Sequence, residues 1–545
     1  MQIKNFMDTQ MSRIKSVKSL PSLIVWVLVL VSCVLTFIIF MGIFTYEFNH
    51  AFTHNHDHQL YWAVGRGMLN GLKPYEGMYE NKPVGIFLIS ALSFALTNGT
   101  LLCNIVSFLS ACMLAVMPLW MAMTELKRTA NTGIARLKKA AVVFIVFLSG
   151  LLLTIYCERR SGGFQIEMIA SVFSLLFICF AIKLKKADTR RQRIILTALS
   201  AVSISCAVML KEPFLLVSVF GALLFIDSFG EFWKCIVLPC LIGGAVTVAL
   251  LAMSGLLVPY FAIYIKQMFA TRLSGETSAF TRFFNVSKLG ADIRKFSEWH
   301  FLVWIASLVL TLLWPVCRKQ SLWRAIFHIL KVEAALYIAC FCVGMGGQYF
   351  NHHYIFAAPV YFAFIIFGGK VLYELRYEPK VLKPVLPVVG YVMLMAVCFA
   401  AGTRYSTEND SQQFNNVQAA AAYVDEILDF YGEERYQIVG FNQHYSFYGL
   451  TKHSPQGPVF VQDPDNMHTY RSWFTMTFLE QIEKSNILVV DSYAHPNVTS
   501  EYVENKIETE FTDHPAVKFE KTLSQSFRYK IYFRISKYGQ SAEQD

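Results

Sequence analysis

The sequence predicts a mostly helical bundle of about 11 membrane spans followed by a small soluble α/β domain. Three observations predict it. Hydrophobic residues make up 55% of the 545 residues and charged residues only 16%, with a mean hydropathy of +0.42. A soluble core of this length needs far less apolar sequence. Apolar runs recur between short basic clusters as far as residue 403, and beyond about residue 408 the rhythm changes to short β-rich and amphipathic segments.

Runs long enough, or nearly long enough, to cross a bilayer lie at 21–46, 101–124, 140–156, 166–182, 194–210, 214–228, 235–257, 301–317, 332–345, 355–369 and 384–403. Basic residues fall between them at Lys127–Lys139, Lys183–Arg193, Arg318–Lys331 and Lys370–Lys383, and in the N-terminus at Lys4–Lys18. The positive-inside rule puts all five clusters in the cytoplasm, so an even number of spans must separate each pair. Residues 84–98 (VGIFLISALSFALTN) break that parity if they cross, and they are short for a span. They read as a helix at or dipping into the outer surface. The first span has a long apolar core with no small-x-small site behind it, and reads as an uncleaved signal anchor.

This organisation gives a cytoplasmic N-terminus (1–20), a membrane domain (21–405) with an external loop at 47–100, and an extracytoplasmic α/β domain (408–545). Residues 1–403 carry 36 Lys+Arg against 18 Asp+Glu, and residues 404–545 carry 12 against 20. A basic membrane body and an acidic tail account for the net +10 with no nucleic-acid partner. All 12 cysteines lie at or before Cys398, so no disulfide framework holds the tail. In the tail, Asn416–Tyr431 reads as a helix stopped by Gly432, as do Tyr470–Glu483 and Ser500–Glu510; YQIVG, PVFV, NILVVD and YKIYFRI read as strands.

The segment Asp57–Pro83 (DHQLYWAVGRGMLNGLKPYEGMYENKP) is the most informative part of the chain. A first span is normally followed by a short turn, whereas here about 37 mostly polar residues follow it. Three more external segments carry ionisable groups: Cys157–Gln165 (CERRSGGFQ), Lys211-Glu212-Pro213 and Gly346–Tyr354 (GGQYFNHHY). Charges gathered at span ends on one face point to one polar site there rather than to a path through the bilayer.

The order of Asp57, Tyr61, Gly65, Gly71, Pro74, Tyr75, Glu80, Lys82 and Pro83 resembles the first external loop of the GT-C membrane glycosyltransferases. Protein O-mannosyltransferases, the lipid A aminoarabinose transferase and rhizobial lipopolysaccharide galacturonosyltransferases belong to that group. SGGFQIE (Ser161–Glu167) and YFNHHYIFAAP (Tyr349–Pro359) are similar to later segments of such enzymes. Asp57-His58 stands where many members have Asp-Glu or Asp-Ser, and Lys82-Pro83-Val84 where many have KPP or KGP. The resemblance implies inverting transfer of a sugar from a polyprenyl-phosphate donor to a hydroxyl of a glycan, lipid or protein, outside a bacterial inner membrane. Asp57 would be the general base. Lys82, Arg159, Arg160 and Lys211 would face the lipid phosphate, with Glu80, His353 and Tyr354 also at the donor and Tyr61, Tyr75 and Glu167 in support.

The residues leave alternatives beside these roles. Asp57 suits the N-cap of a helix as well as a base, the cations suit lipid headgroups, and Glu167 suits a helix start. No cofactor is required; a divalent metal is left open, with His54, His56 and His58 as candidate ligands and His352-His353 on another loop. A lipid-linked sugar transporter would instead need broken spans or charges near the bilayer midplane, and a non-catalytic envelope scaffold would have no use for Asp57, Glu80 and Lys82.

Overall fold

The computed structural model describes residues 56–125, 133–161, 164–270, 322–345, 351–374, 411–440, 446–460, 473–491, 500–517 and 529–539, with a few single positions beside them. The predicted spans at 301–317 and 384–403 lie outside the described residues, as does nearly all of 21–46. The chain packs as two units, one from 1–47, 104–247 and 277–405, the other from 48–103, 248–276 and 406–545.

The helices run α1 (His56–Leu69), α2 (Val84–Thr97), α3 (Leu101–Glu125), α4 (Gly133–Ser161), α5 (Ile166–Lys185), α6 (Arg190–Leu210), α7 (Phe214–Leu223), α8 (Phe229–Met253), α9 (Leu322–Gly344) and α10 (Ala358–Glu374). A 3₁₀ turn, Asn351–Ala357, precedes α10. Among the described residues, six helical segments are long and apolar enough to cross a membrane: α3, α5, α6, α8, most of α9, and His352–Lys370, which joins the 3₁₀ turn to α10. The chain is a multi-pass membrane protein.

The run at 214–228 is not one helix. The amides of Phe225 and Ile226 turn back onto Ala222 and Leu223, ending α7 after 10 residues and exposing Asp227. Residues 84–97 form a 14-residue helix whose buried face carries Ile86, Phe87, Ser90 and Phe94, while Leu88, Leu92 and Leu96 stay exposed along one stripe.

In the first unit α5 is the central element. At ~1.5 Å per residue its 20 residues span about 30 Å, the thickness of a hydrocarbon core. A capping box at Thr189 and Gln192 starts α6, which runs back beside it. At one end of α5, Lys185 lies 2.5 Å from Asp227 and 3.1 Å from Glu231, and Lys331 of α9 lies 3.8 Å from the same Asp227. Two basic clusters that the positive-inside rule put on one side thus meet at one carboxylate.

In the second unit the tail forms a five-stranded mixed sheet in the order β2-β1-β3-β5-β4, from β1 (Arg435–Val439), β2 (Ser454–Pro455), β3 (Ile487–Asp491), β4 (Phe511–Thr512) and β5 (Tyr529–Arg534). β1 pairs in parallel with β2 and β3, and β5 pairs antiparallel with β3 and β4. Helices α11 (Ser411–Tyr431), α12 (Ser446–Leu450), α13 (Trp473–Lys484) and α14 (Ser500–Glu510) alternate with the strands. The expected strand PVFV does not form at Pro458–Phe460, and Val461 lies outside the described residues. The Val459 amide and carbonyl are bound by the side chain of Gln481 at 2.9 and 3.1 Å, which takes them from any ladder.

Candidate functional site

The second unit shows why the external loop holds its shape. α1 ends in a Schellman motif: the Leu72 amide donates to the Gly67 carbonyl and the Gly71 amide to Met68, with Gly71 at φ +82°. The chain then turns through Pro74 and Tyr75. Tyr75 is fully buried at φ +72°, a left-handed conformation that costs a bulky residue roughly 1–2 kcal/mol. Its amide donates to Met78 at 2.8 Å and its hydroxyl to the Lys82 carbonyl at 2.9 Å. Its ring stacks on Tyr264 with centroids 5.0 Å apart. The aromatic residue that sequence suggested as support is thus the pin of the turn.

This turn returns the chain so that α1 and α2 pack in parallel. The level contacts are Tyr61 with Phe87 at 6.4 Å, Gly65 with Ser90 and Ala91, and Arg66 with Phe94 and Asn98. Any side chain at Gly65 would meet Ser90 at 2.5 Å, so close helix contact requires glycine there. A parallel pair puts the start of α1 and the start of α2 at the same end. Asp57, in the first turn of α1, therefore shares an end of the pair with Glu80 and Lys82, which immediately precede α2. His56 and Asp57 both have helical backbone, so Asp57 lies inside α1 rather than at its cap. Glu80 and Lys82 form a salt bridge of 3.5 Å, both side chains 12% exposed, and Lys82 also donates to Asn81 at 3.0 Å.

The same unit seats this loop on the tail. The Tyr79 amide donates to the Pro458 carbonyl at 2.8 Å, and its ring meets Trp473 and Phe474 edge-on. Asn70 donates to the Lys452 carbonyl at 2.8 Å. No signal in the sequence pairs residue 79 with residue 458.

The first unit holds the other candidates. Glu167 stands in the first turn of α5, where the helix dipole favours a carboxylate, and its side chain is fully buried. Lys211, the C-cap residue of α6, reaches it at 3.4 Å. The Lys211-Glu212-Pro213 turn is wound directly into α7 by bonds from Phe214 and Leu215, which fixes where that lysine starts. His352 and His353, in the 3₁₀ turn, bring ligand atoms to within 4.8 Å of each other and of Glu167. The turn is tied to α5 by Ser171, whose hydroxyl donates to the Glu167 carbonyl at 2.8 Å and lies 3.4 Å from that of Ile355. Tyr354 is buried beside them in sequence. Arg159 and Arg160 fall in the last turn of α4, with side chains outside the described residues.

Of the histidines near Asp57, His58 is buried against the rings of Tyr61 and Trp62. His54 and the side chain of His56 lie outside the described residues. Among the described residues the group of three with metal-ligand spacing is Glu167, His352 and His353, which sequence spacing alone did not assemble because 185 positions separate Glu167 from His352.

No protein-family model and no curated protein sequence matches this chain. Among solved structures it is similar to the crystal structure of ArnT from Cupriavidus metallidurans bound to undecaprenyl phosphate. The two share 12% identity and a TM-score of 0.50 over 92% of this chain and 97% of that one. The chain has the GT-C fold. Its helical body and its small sheet domain both belong to that likeness, since so little of either chain is left uncovered.

Proposed function

We propose that this protein is an inverting membrane glycosyltransferase that takes a sugar from a polyprenyl-phosphate donor. The observation that carries the reading is the parallel packing of α1 and α2, which gathers Asp57 with the Glu80–Lys82 pair at one end. The GT-C fold and the undecaprenyl phosphate bound by ArnT support the same donor class. An acceptor hydroxyl attacks the anomeric carbon, its proton passes to the Asp57 carboxylate, and the carbon–oxygen bond to the lipid phosphate breaks. Negative charge growing on that phosphate is met by cations, for which Lys82 and Lys211 are the described candidates and Arg159 and Arg160 the others. His353 and Tyr354 act at the donor, and Tyr61 and Tyr75 hold the loop. The acceptor is a hydroxyl of a glycan, lipid or protein.

The deciding experiment starts from the lipid-linked sugar that co-purifies with the protein, identified by mass spectrometry and supplied back in detergent. Wild-type protein should transfer or hydrolyse it with no membrane gradient. Asp57→Asn should lose ~10²–10⁴ in rate while keeping donor affinity. Lys82→Ala and Lys211→Ala should each weaken donor binding by roughly 10–150-fold. Binding without turnover in the wild-type protein would make it a transporter, and full activity of Asp57→Asn would remove the base.

The proposed orientation puts the N-terminus in the cytoplasm and the α/β domain outside, in a bacterial inner membrane. Cysteine tags at Thr132 and Asp188 should then react from the cytoplasm, and tags at Asn70, Asn98 and Ser541 from the other side. A cytoplasmic signal at Ser541 would reverse the assignment.

A further inference from the structure

We propose that Glu167, His352 and His353 form a binding site for a divalent cation of the zinc class. Two imidazoles and one carboxylate are borderline ligands, and a His₂Glu set with an open position suits such an ion. The geometry already converges: all three ligand atoms lie within 4.8 Å of one another. Ligands on a tetrahedral ion with bonds of ~2.0–2.1 Å stand about 3.4 Å apart, so binding asks the imidazoles to close by an ångström or so. Rotation about their side-chain bonds covers that distance.

The ligands also come from elements that are held together without the ion. Glu167 is fixed in the first turn of α5, and both histidines sit on one short 3₁₀ turn. Ser171 bonds that turn to α5 at the Ile355 carbonyl, and Phe356 packs on Phe214 at 5.0 Å. A first shell carried on packed elements loses little freedom when the ion arrives. The two rings stand at 87° with centroids 4.6 Å apart, so they are not stacked against each other.

Lys211 sets the affinity. Its ammonium lies 3.4 Å from one Glu167 oxygen, so a cation on that carboxylate must share it with a like charge. Removing the lysine charge should therefore tighten metal binding, while removing the carboxylate should abolish it. A cluster that serves only to neutralise Lys211 predicts neither effect.

The test reads metal directly, so its outcome is separate from that of the transferase reading. Full-length protein, purified in detergent on a tag without histidine, is stripped with chelator and equilibrated with zinc. Elemental analysis should give one tightly held zinc per chain. His352→Ala and Glu167→Gln should each weaken binding by at least ~10-fold, the lower end of what disturbing a metal site costs. Lys211→Met should strengthen it, and His514→Ala, an exposed histidine of the tail, should leave it unchanged. His352→Ala leaves the Glu167–Lys211 pair in place and carries the test if Glu167→Gln fails to fold. Wild-type protein without stoichiometric zinc, or unchanged binding in His352→Ala, would overturn the site.

Discussion

The two ends of α5 make the same kind of contact, with lysines buried to a similar degree but carboxylates in opposite surroundings. At one end Lys185 and Lys331 meet Asp227, whose side chain is 74% exposed. At the other, Lys211 meets Glu167, whose side chain is not exposed at all. An exposed carboxylate gains and loses little, because water replaces whatever the partner gives, and Lys185 and Lys331 keep the Phe225 and Ile226 carbonyls as partners without it. A buried pair must offset the desolvation of both charges, and well-packed apolar residues of the same shape would often be as stable. A carboxylate sealed at a helix mouth beside a lysine and two histidines is therefore where the proposed cation site belongs. The Asp227 end fastens α5 to its neighbours; the Glu167 end is the one to search for ligands.

Glu167→Gln breaks that comparison most forcefully. It strands the Lys211 charge in a site that is 14% exposed, and leaving one partner of a buried pair costs ~3–5 kcal/mol. Chemical unfolding in detergent should show the loss, and Glu167→Gln combined with Lys211→Met should restore most of it. If the single variant were as stable as wild type, the pair would behave like the exposed one and the contrast would fail.

Asp227→Asn is the matched control at the other end. The expected change is ~0–1 kcal/mol, shrinking further at high salt, with turnover unaltered. A substantial loss of turnover in this variant would mean that the two ends are not divided into fastening and chemistry.

Much of this was legible in the sequence because it depends on local pattern. Hydropathy marked the six described helices that are long and apolar enough to cross, parity and length set residues 84–98 apart and a 14-residue helix forms there, and the tail's α11, α13, α14, β1, β3 and β5 follow from their own local pattern. What escaped depends on long-range contact. Pro458–Phe460 has the composition of a strand, but Val459 spends its backbone bonds on Gln481 and the Pro458 carbonyl accepts from Tyr79. Residues 214–228 are apolar enough for a span yet turn at Asp227, where a charge finds Lys185 and Lys331. The same holds at the candidate site. Asp57, Glu80 and Lys82 were visible as residue types, but their shared end follows from a parallel packing that rests on Tyr75 adopting φ +72°. Glu167 read as a supporting residue or as a helix start, and nothing in its neighbourhood in sequence paired it with His352 and His353, which the 3₁₀ turn brings to it.

A third ion pair, in the tail and outside the membrane, sharpens the comparison by the sign of its titration. Glu433 accepts from Asn486 at 3.1 and 3.2 Å and from Lys537 and Tyr538. Burial works against its charge, but Lys537, Tyr538 and Asn486 outweigh that and hold the carboxyl below the usual range. A carboxyl depressed on folding adds stability that is present above its unfolded value, near ~4.3, and is lost as pH falls through the lower folded value. Hydrogen exchange at β5 should therefore lose protection as pH drops from 6 to 3, by about 1 kcal/mol or less for this one group. Glu433→Gln should flatten that part of the slope and leave sugar transfer at pH 7 untouched. Unchanged acid sensitivity in the variant would assign the slope to other carboxylates, and a fall in transfer would place the tail's ion pairs with Glu167 rather than with Asp227.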